Sequence, residues 1–235
     1  PSVAFSSFTI EFWVRPDFFD DRGNPLDDED EVWILATGGW QGIPERDRNT
    51  SMHIGYLDRD TFRFSFGHDA YLDYNTSPFI PGIWEHWACV YEYDSASGLG
   101  TRRIYRNGLS VASQAEVPPF QSSNAWALAY YPRGSETTDF FTGGMDDLRI
   151  WNRALTSGEI NACFSRSLTA EEIAEPSLVA YYPFGTTNGD ELTTEATGSG
   201  RDIRITFGQP QLGWGPVGEP ADVEAVPEET VDLSA

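Results

Sequence analysis

The stretch Phe140-Phe141-Thr142-Gly143-Gly144-Met145-Asp146-Asp147-Leu148-Arg149-Ile150-Trp151-Asn152-Arg153-Ala154-Leu155-Thr156-Ser157-Gly158-Glu159-Ile160 joins two kinds of local order. Its first half has the period of a strand. Leu148 and Ile150 are expected on one face, and Met145, Asp147, Arg149 and Trp151 on the other. Its second half carries Thr156 with Glu159 three residues on, a capping box that predicts a helix running to about Phe164. Leu155 and Ile160 can fold that helix back onto the sheet. Asp146 and Asp147 read as structural acids that hold turn N–H groups rather than as metal ligands.

Outward from this stretch the pattern is mostly strand. Phe8 to Arg15 alternates, with Ile10, Trp13 and Val14 blurring the period, and Pro16 ends it. Further strands are expected at Val32 to Thr37, Met52 to Leu57, Thr61 to Phe66, Trp84 to Tyr93, Thr101 to Arg106, Leu109 to Ser113, Ala125 to Tyr131, Leu178 to Phe184 and Ile203 to Phe207, bounded by Gly, Pro, Asn or Asp. Asn107-Gly108 is a hairpin signal, since both residues tolerate the positive φ of a type I′ turn. A second, weaker helix start lies at Thr169-Ala170-Glu171-Glu172. Many short strands between such turns predict an all-β, antiparallel two-sheet sandwich with one or two short helices.

Composition narrows the function. With 235 residues, 40% of them hydrophobic, the chain can bury a sizeable core. Its 37 acids against 15 bases give a net charge of −22, which argues against nucleic acid and anionic membrane as partners. Every base is Arg, which points to genome bias or salt adaptation rather than to a site. No apolar run approaches the ~18 residues of a membrane span, so no direct membrane insertion is expected. Pro1 in place of an initiator Met suggests a processed product or a piece of a longer chain. Residues 217–235 contain six acids and no base and read as an acidic linker or tail after a single domain at 1–216.

The segments FTIEFWVRPD (8–17), GIWEHWACVYEYDSASG (82–98), TRRIYRNGLSVAS (101–113), FFTGGMDDLRIWNRALTSGEI (140–160) and PSLVAYYPFG (176–185) occur here in an order that resembles the laminin-G-like jelly-roll domains of the concanavalin A-like lectin/glucanase superfamily, related to pentraxins. The resemblance spans Val3 to Pro216. It implies a jelly-roll sandwich and a non-enzymatic recognition or adhesion module of an extracellular or cell-surface protein. Such a module would bind carbohydrate or a protein partner through calcium-ordered rim loops. The alternative is a spacer or assembly subunit of a large surface protein or fibre, in contact with other domains of a longer chain and lacking a small ligand.

For the metal, Ca2+, the resemblance points to Asp47 and Asn49 on one rim loop and to Glu136 and Asp139 on another. The residues themselves offer Asp27, Asp28 and Asp30 in an acid-crowded loop. Hard oxygen donors there suit calcium, although in a chain this acidic an acid-rich loop is more often only a solvated loop. Aromatics in or near loops that could stack on a sugar ring are Trp40, Tyr71, Tyr74, Tyr130 and Tyr131. Trp13, Trp84, Trp87, Trp126 and Trp151 read as packing residues, and His86 as a packed or hydrogen-bonded histidine. Cys89 stands where pentraxins place a strand cysteine, but the first core strand has no partner for it. A bond to Cys163 and two separate thiols both stay open.

An enzyme is not expected. Glucanases of this superfamily set paired carboxylates on one strand through an E-x-D-x-x-E-like motif, and no stretch here fits it. Glu11 has no acid two residues on, and there is no Gly-x-Ser-x-Gly.

Overall fold

The computed structural model describes residues 3–4, 6–17, 31–37, 50–67, 70–77, 80–121, 126–129, 141–184, 192–193, 196–198, 203–205, 211–213, 222–225 and 231–232. In chain order the strands are β1 (Phe8–Pro16), β2 (Val32–Thr37), β3 (Met52–Asp58), β4 (Thr61–Phe66), β5 (Tyr71–Asn75), β6 (Glu85–Asp94), β7 (Leu99–Arg106), β8 (Leu109–Val117), β9 (Trp126–Leu128) and β10 (Gly143–Trp151). Helices α1 (Ser157–Cys163) and α2 (Ala170–Ile173) follow. The chain then returns to strand in β11 (Leu178–Tyr182), β12 (Leu192–Thr193), β13 (Ile203–Ile205), β14 (Gln211–Gly213), β15 (Asp222–Ala225) and β16 (Val231–Asp232).

These strands form two antiparallel sheets. Sheet one runs β14-β15-β10-β1-β6-β7-β8, with β11 also on β10, and sheet two runs β12-β13-β16-β9-β2-β3-β4-β5. The architecture is the expected all-β jelly-roll sandwich with two short helices. Inside 217–235, read from composition as linker or tail, β15 pairs with β10 and β16 with β9.

Strict alternation builds the core. On β1, Phe8, Ile10, Phe12 and Val14 all point inward, while Thr9, Glu11 and Trp13 point out. On β4, Phe62, Phe64 and Phe66 do the same against Arg63 and Ser65. The Phe62 and Trp87 rings stack across the sandwich at 3.9 Å and 3°, and Trp87 Nε1 donates to the Tyr56 hydroxyl at 3.2 Å. Each such aromatic pair adds about 1 kcal/mol beyond the area it buries.

One face assignment is corrected. Met145 lies in the core with Leu148 and Ile150, not outside with Asp147, Arg149 and Trp151. Asp147 adopts φ 56° where the pairing with β1 slips between Glu11 and Trp13, a β-bulge that inverts the alternation. The same irregularity divides the far edge of β10. Its first part, Gly143 to Met145, pairs with β15, and Leu148 onward pairs with β11.

Both capping boxes form, with Thr156 against Glu159 and Thr169 against Glu172. The helical segment lies on the outer face of sheet one. There Leu155, Ile160 and Leu168 pack with Ala88, Val90, Tyr105, Trp151, Leu178 and Tyr181 in a second, smaller core. The predicted Asn-Gly hairpin is present, with φ 50° at Asn107 and 79° at Gly108. Asn107 also accepts the His86 N–H through its side chain, at 2.9 Å. Cys89 and Cys163 are both free. Cys89 belongs to the inter-sheet core and Cys163 packs on the opposite side of sheet one, so the sheet itself stands between them. Among the described residues no helix is long and apolar enough to cross a membrane.

Candidate functional site

Two clusters of polar side chains stand out, one sealed and one open. The sealed cluster lies between sheet one and its helical cover. Cross-strand pairing brings Glu11 of β1, His86 of β6, Asp147 and Arg149 of β10 and Tyr181 of β11 together. Glu11 Oε1 accepts Trp151 Nε1 at 3.0 Å and lies 3.6 Å from Arg149 Nη1, while Oε2 is 3.4 Å from His86 Nε2. Arg149 also pairs with Asp147 and donates to the carbonyls of Cys163 and Arg166 at 3.2 and 2.6 Å, which ties the helices down. Trp13 Nε1 donates to the Phe164 carbonyl at 2.7 Å and its ring stacks on Phe164.

Burial raises the Glu11 carboxyl, but His86, Arg149 and Trp151 together pull it below its ordinary value. Burial raises Asp147 above its own, with Arg149 opposing. Two carboxyls pushed apart in this way can serve as a catalytic acid and base. These two are enclosed, however: Glu11 is 0% and Asp147 4% exposed, beneath a packed helical layer. The cluster is a clasp for that layer, and a substrate does not reach it. Glu11, which has no acidic neighbour along its own strand, acquires one only through the pairing of β1 with β10.

The second cluster lies on the outer face of sheet two, where Trp33, Ala36, His53 and Ser65 are buried and the face opens to solvent at Tyr71 on β5. Register aligns two rows across its strands, Trp33–Gly55–Arg63–Asp73 and Ala36–His53–Ser65–Tyr71. Arg63 Nε and Nη2 donate to Asp73 Oδ1 and Oδ2, both at 2.8 Å, a two-pronged grip that fixes the guanidinium. Its carbon lies 4.1 Å from the centre of the Tyr71 ring, and Tyr71 is 46% exposed. Gly55 lets the β2 backbone approach closely between Trp33 and Arg63. A Cβ there would come within 2.3 Å of the Val32 carbonyl, because β2 bulges against it. Trp33 is buried beside it, tilted on His53 at 5.1 Å and donating to Glu31 at 3.3 Å. The result is one exposed aromatic ring beside an ordered donor and acceptor.

The carbonyl of Ala70, the residue before β5, accepts Arg102 Nη1 at 2.6 Å. Arg102 comes from β7 of sheet one and is 1% exposed, so the strand that carries Tyr71 is anchored through the interior. A further open cleft of about 610 Å³ lies at the β6–β7 hairpin, lined by Glu92, Asp94 and Glu116 among others. Two of these acids are engaged. Glu92 pairs with Arg103 at 2.7 Å, and Asp94 accepts from Ala96 N and Ser97 Oγ.

Of the aromatics expected to meet a ligand, Tyr71 is on the open face. Tyr74 is corrected: it lies on the same strand with opposite parity, half-buried against the core with its ring 6.1 Å from Trp87. Trp40, Tyr130 and Tyr131 lie outside the described residues, as do Asp27, Asp28, Asp30, Asp47, Asn49, Glu136 and Asp139. Among the described residues no group of three or more His, Cys, Asp or Glu could hold a metal ion. Sequence reading missed Arg63 and Asp73. The polar parity of Thr61, Arg63 and Ser65 was visible, but β5 had not been recognised as a strand, so nothing set Asp73 and Tyr71 beside them.

A laminin-G family model described as the concanavalin A-like lectin/glucanases superfamily matches residues 1–161. The chain belongs to this superfamily. No curated protein sequence matches it. Among solved structures, this superfamily domain is similar to a Bacteroides ovatus protein to which carbohydrate binding is ascribed, at 23% identity and a TM-score of 0.59, over 83% of this chain and 51% of that one. The domain thus spans about half the length of that protein. It is also similar to the CBM40 of a Ruminococcus gnavus IT-sialidase, at 13% identity and a TM-score of 0.49 over 68% of this chain and 83% of that one. A third likeness is domain 4 of AbnA, a GH43 extracellular arabinanase of Geobacillus stearothermophilus, solved with arabinotriose. There the identity is 19% and the TM-score 0.44, over 67% of this chain and 66% of that one.

Proposed function

We propose that the domain is a non-catalytic carbohydrate-recognition module that binds glycans on the outer face of sheet two, around Tyr71. The observation that carries this reading is the exposed Tyr71 ring set beside the ordered Arg63–Asp73 pair. Carbohydrate binding ascribed to a protein of the same fold supports it. The closed state of the Glu11–Asp147 cluster supports a non-catalytic role, since the paired carboxyls of a glycosidase must flank an open groove.

The reading includes calcium. Acids at Asp27, Asp28, Asp30, Asp47, Glu136 and Asp139, with Asn49, would order rim loops around Ca2+, and their mutual repulsion would otherwise hold those loops apart. It also places the module at the cell surface or outside the cell, beside other domains of a longer chain. A screen of immobilised glycans with the intact chain, in millimolar calcium and in EDTA, tests both parts. Binding lost in Tyr71→Ala supports the site. A melting temperature raised by calcium and not by magnesium supports the metal.

A second reading, an assembly or spacer unit, is favoured by the exposed apolar residues Ile80, Ile83 and Leu109, at 59%, 51% and 66%. Ile83 and Leu109 flank the same end of the sandwich, where the Asn107 N–H bonds to the His86 carbonyl. A concentration-dependent oligomer that Leu109→Ser disperses, together with no glycan binding, would establish that reading instead.

A further inference from the structure

We infer that the site around Tyr71 selects neutral, hydroxyl-rich glycans and rejects glycans carrying carboxylate or sulfate. This rests on the carbohydrate reading above and specifies the ligand class. An arginine grips an anionic sugar through two parallel N–H donors, and Asp73 already occupies one such edge of Arg63 and neutralises its charge. Its Nε and Nη2 are held by the two oxygens of Asp73 at 2.8 Å each. A ligand carboxylate would either displace Asp73 and leave it unpaired, or approach the remaining donors of a guanidinium already neutralised, beside the Asp73 charge.

What the pair still offers is mixed. The Arg63 guanidinium has N–H donors beyond the two that Asp73 takes, and the Asp73 oxygens keep lone pairs beyond those that the guanidinium uses. A sugar hydroxyl both donates and accepts, so neighbouring hydroxyls can bridge the pair while C–H groups of the sugar contact the part of the Tyr71 ring that Arg63 leaves exposed. A carboxylate or sulfate only accepts. The surroundings act the same way. Glu31 stands at the Trp33 end of the face, and the chain as a whole carries −22, a field that repels polyanions at long range.

The test is an array of neutral oligosaccharides (arabinan, xylan, galactan and β-glucan fragments) beside oligogalacturonates, sialylated and sulfated probes, with affinities of the hits measured at 20 and 500 mM NaCl. The expected result is binding to neutral probes that changes less than about twofold between the two salts, because no net charge is neutralised. Tyr71→Ala should weaken it about tenfold or more. Asp73→Asn should shift recognition, since it frees the Arg63 fork and should create salt-sensitive binding to oligogalacturonate. Wild-type binding confined to anionic probes and lost at high salt would overturn the inference and leave glycan recognition standing. If the folded wild-type chain binds none of the probes, the carbohydrate reading falls, and this inference with it.

Discussion

Arg149 on β10 and Glu11 on β1 face each other across the outer side of sheet one, Nη1 and Oε1 3.6 Å apart and both side chains sealed from solvent. Arg149 simultaneously holds Asp147 and two carbonyls of the helical segment. Its positive charge therefore balances buried acids and fastens a layer of structure at once. Replacing it with Ala leaves two buried carboxyls without their cation, a change that costs about 3–5 kcal/mol. Urea denaturation of Arg149→Ala should show that loss. A loss under about 1 kcal/mol would mean the helical cover is held by its apolar contacts alone.

The same cluster sets an acid response with two opposing parts. The Glu11 value is lowered in the folded protein, so its stabilisation is complete above its ordinary value and disappears as pH falls through the lowered one. The Asp147 value is raised, so the fold penalises its ionised form, and protonation relieves that penalty on the acid side. Glu11→Gln should therefore flatten the fall of stability below about pH 4.5, and Asp147→Asn should steepen it. Denaturation midpoints taken from pH 6 to about pH 2 would read the two slopes. Parallel curves for both variants and wild type would sink this account.

On the open face, stability and binding should separate. Tyr71→Ala removes an exposed ring and should change unfolding free energy by no more than about 0.5 kcal/mol. Arg63 and Asp73 are 16% and 30% exposed, so a double-mutant cycle should give a coupling of only about 0.5–1 kcal/mol despite the good geometry. A coupling above about 2 kcal/mol would mark the pair as a fold determinant instead of a ligand-ready one.

The thiols offer a check on the layering. Burial raises Cys89 well above its usual value, and Cys163, half-buried beside Glu172, is raised as well. Ellman's reagent at pH 8 should label Cys163 slowly in the native chain and both thiols after unfolding. Mass should be unchanged by reductant. Rapid native labelling of Cys89 would mean that the inter-sheet core opens on the timescale of the assay.

Much of this molecule was legible locally. The inward phenylalanines of β1 and β4 follow from parity, the two capping boxes from Thr and Glu at their spacing, and the hairpin from Asn107-Gly108. Each depends on residues within one turn or one strand of each other, so the chain's own geometry is sufficient. Tyr71, read as a loop aromatic, lies exposed on β5, whereas Tyr74 was misread because the strand parity of β5 was not apparent.

Tertiary structure decided what depends on register between distant strands. The bulge at Asp147 exists only against β1, and it alone turns Met145 inward. Glu11 meets Asp147 across 136 positions of sequence, and Arg63 meets Asp73 and Tyr71 because β4 and β5 pair in one register and no other. A slip of one residue would send every one of those side chains to the opposite face. The amino-acid sequence thus determined a superfamily, a sandwich and a set of candidate side chains. Which of them form a sealed clasp and which an exposed cluster was set by strand pairing, because burial and charge pairing are properties of neighbours in space.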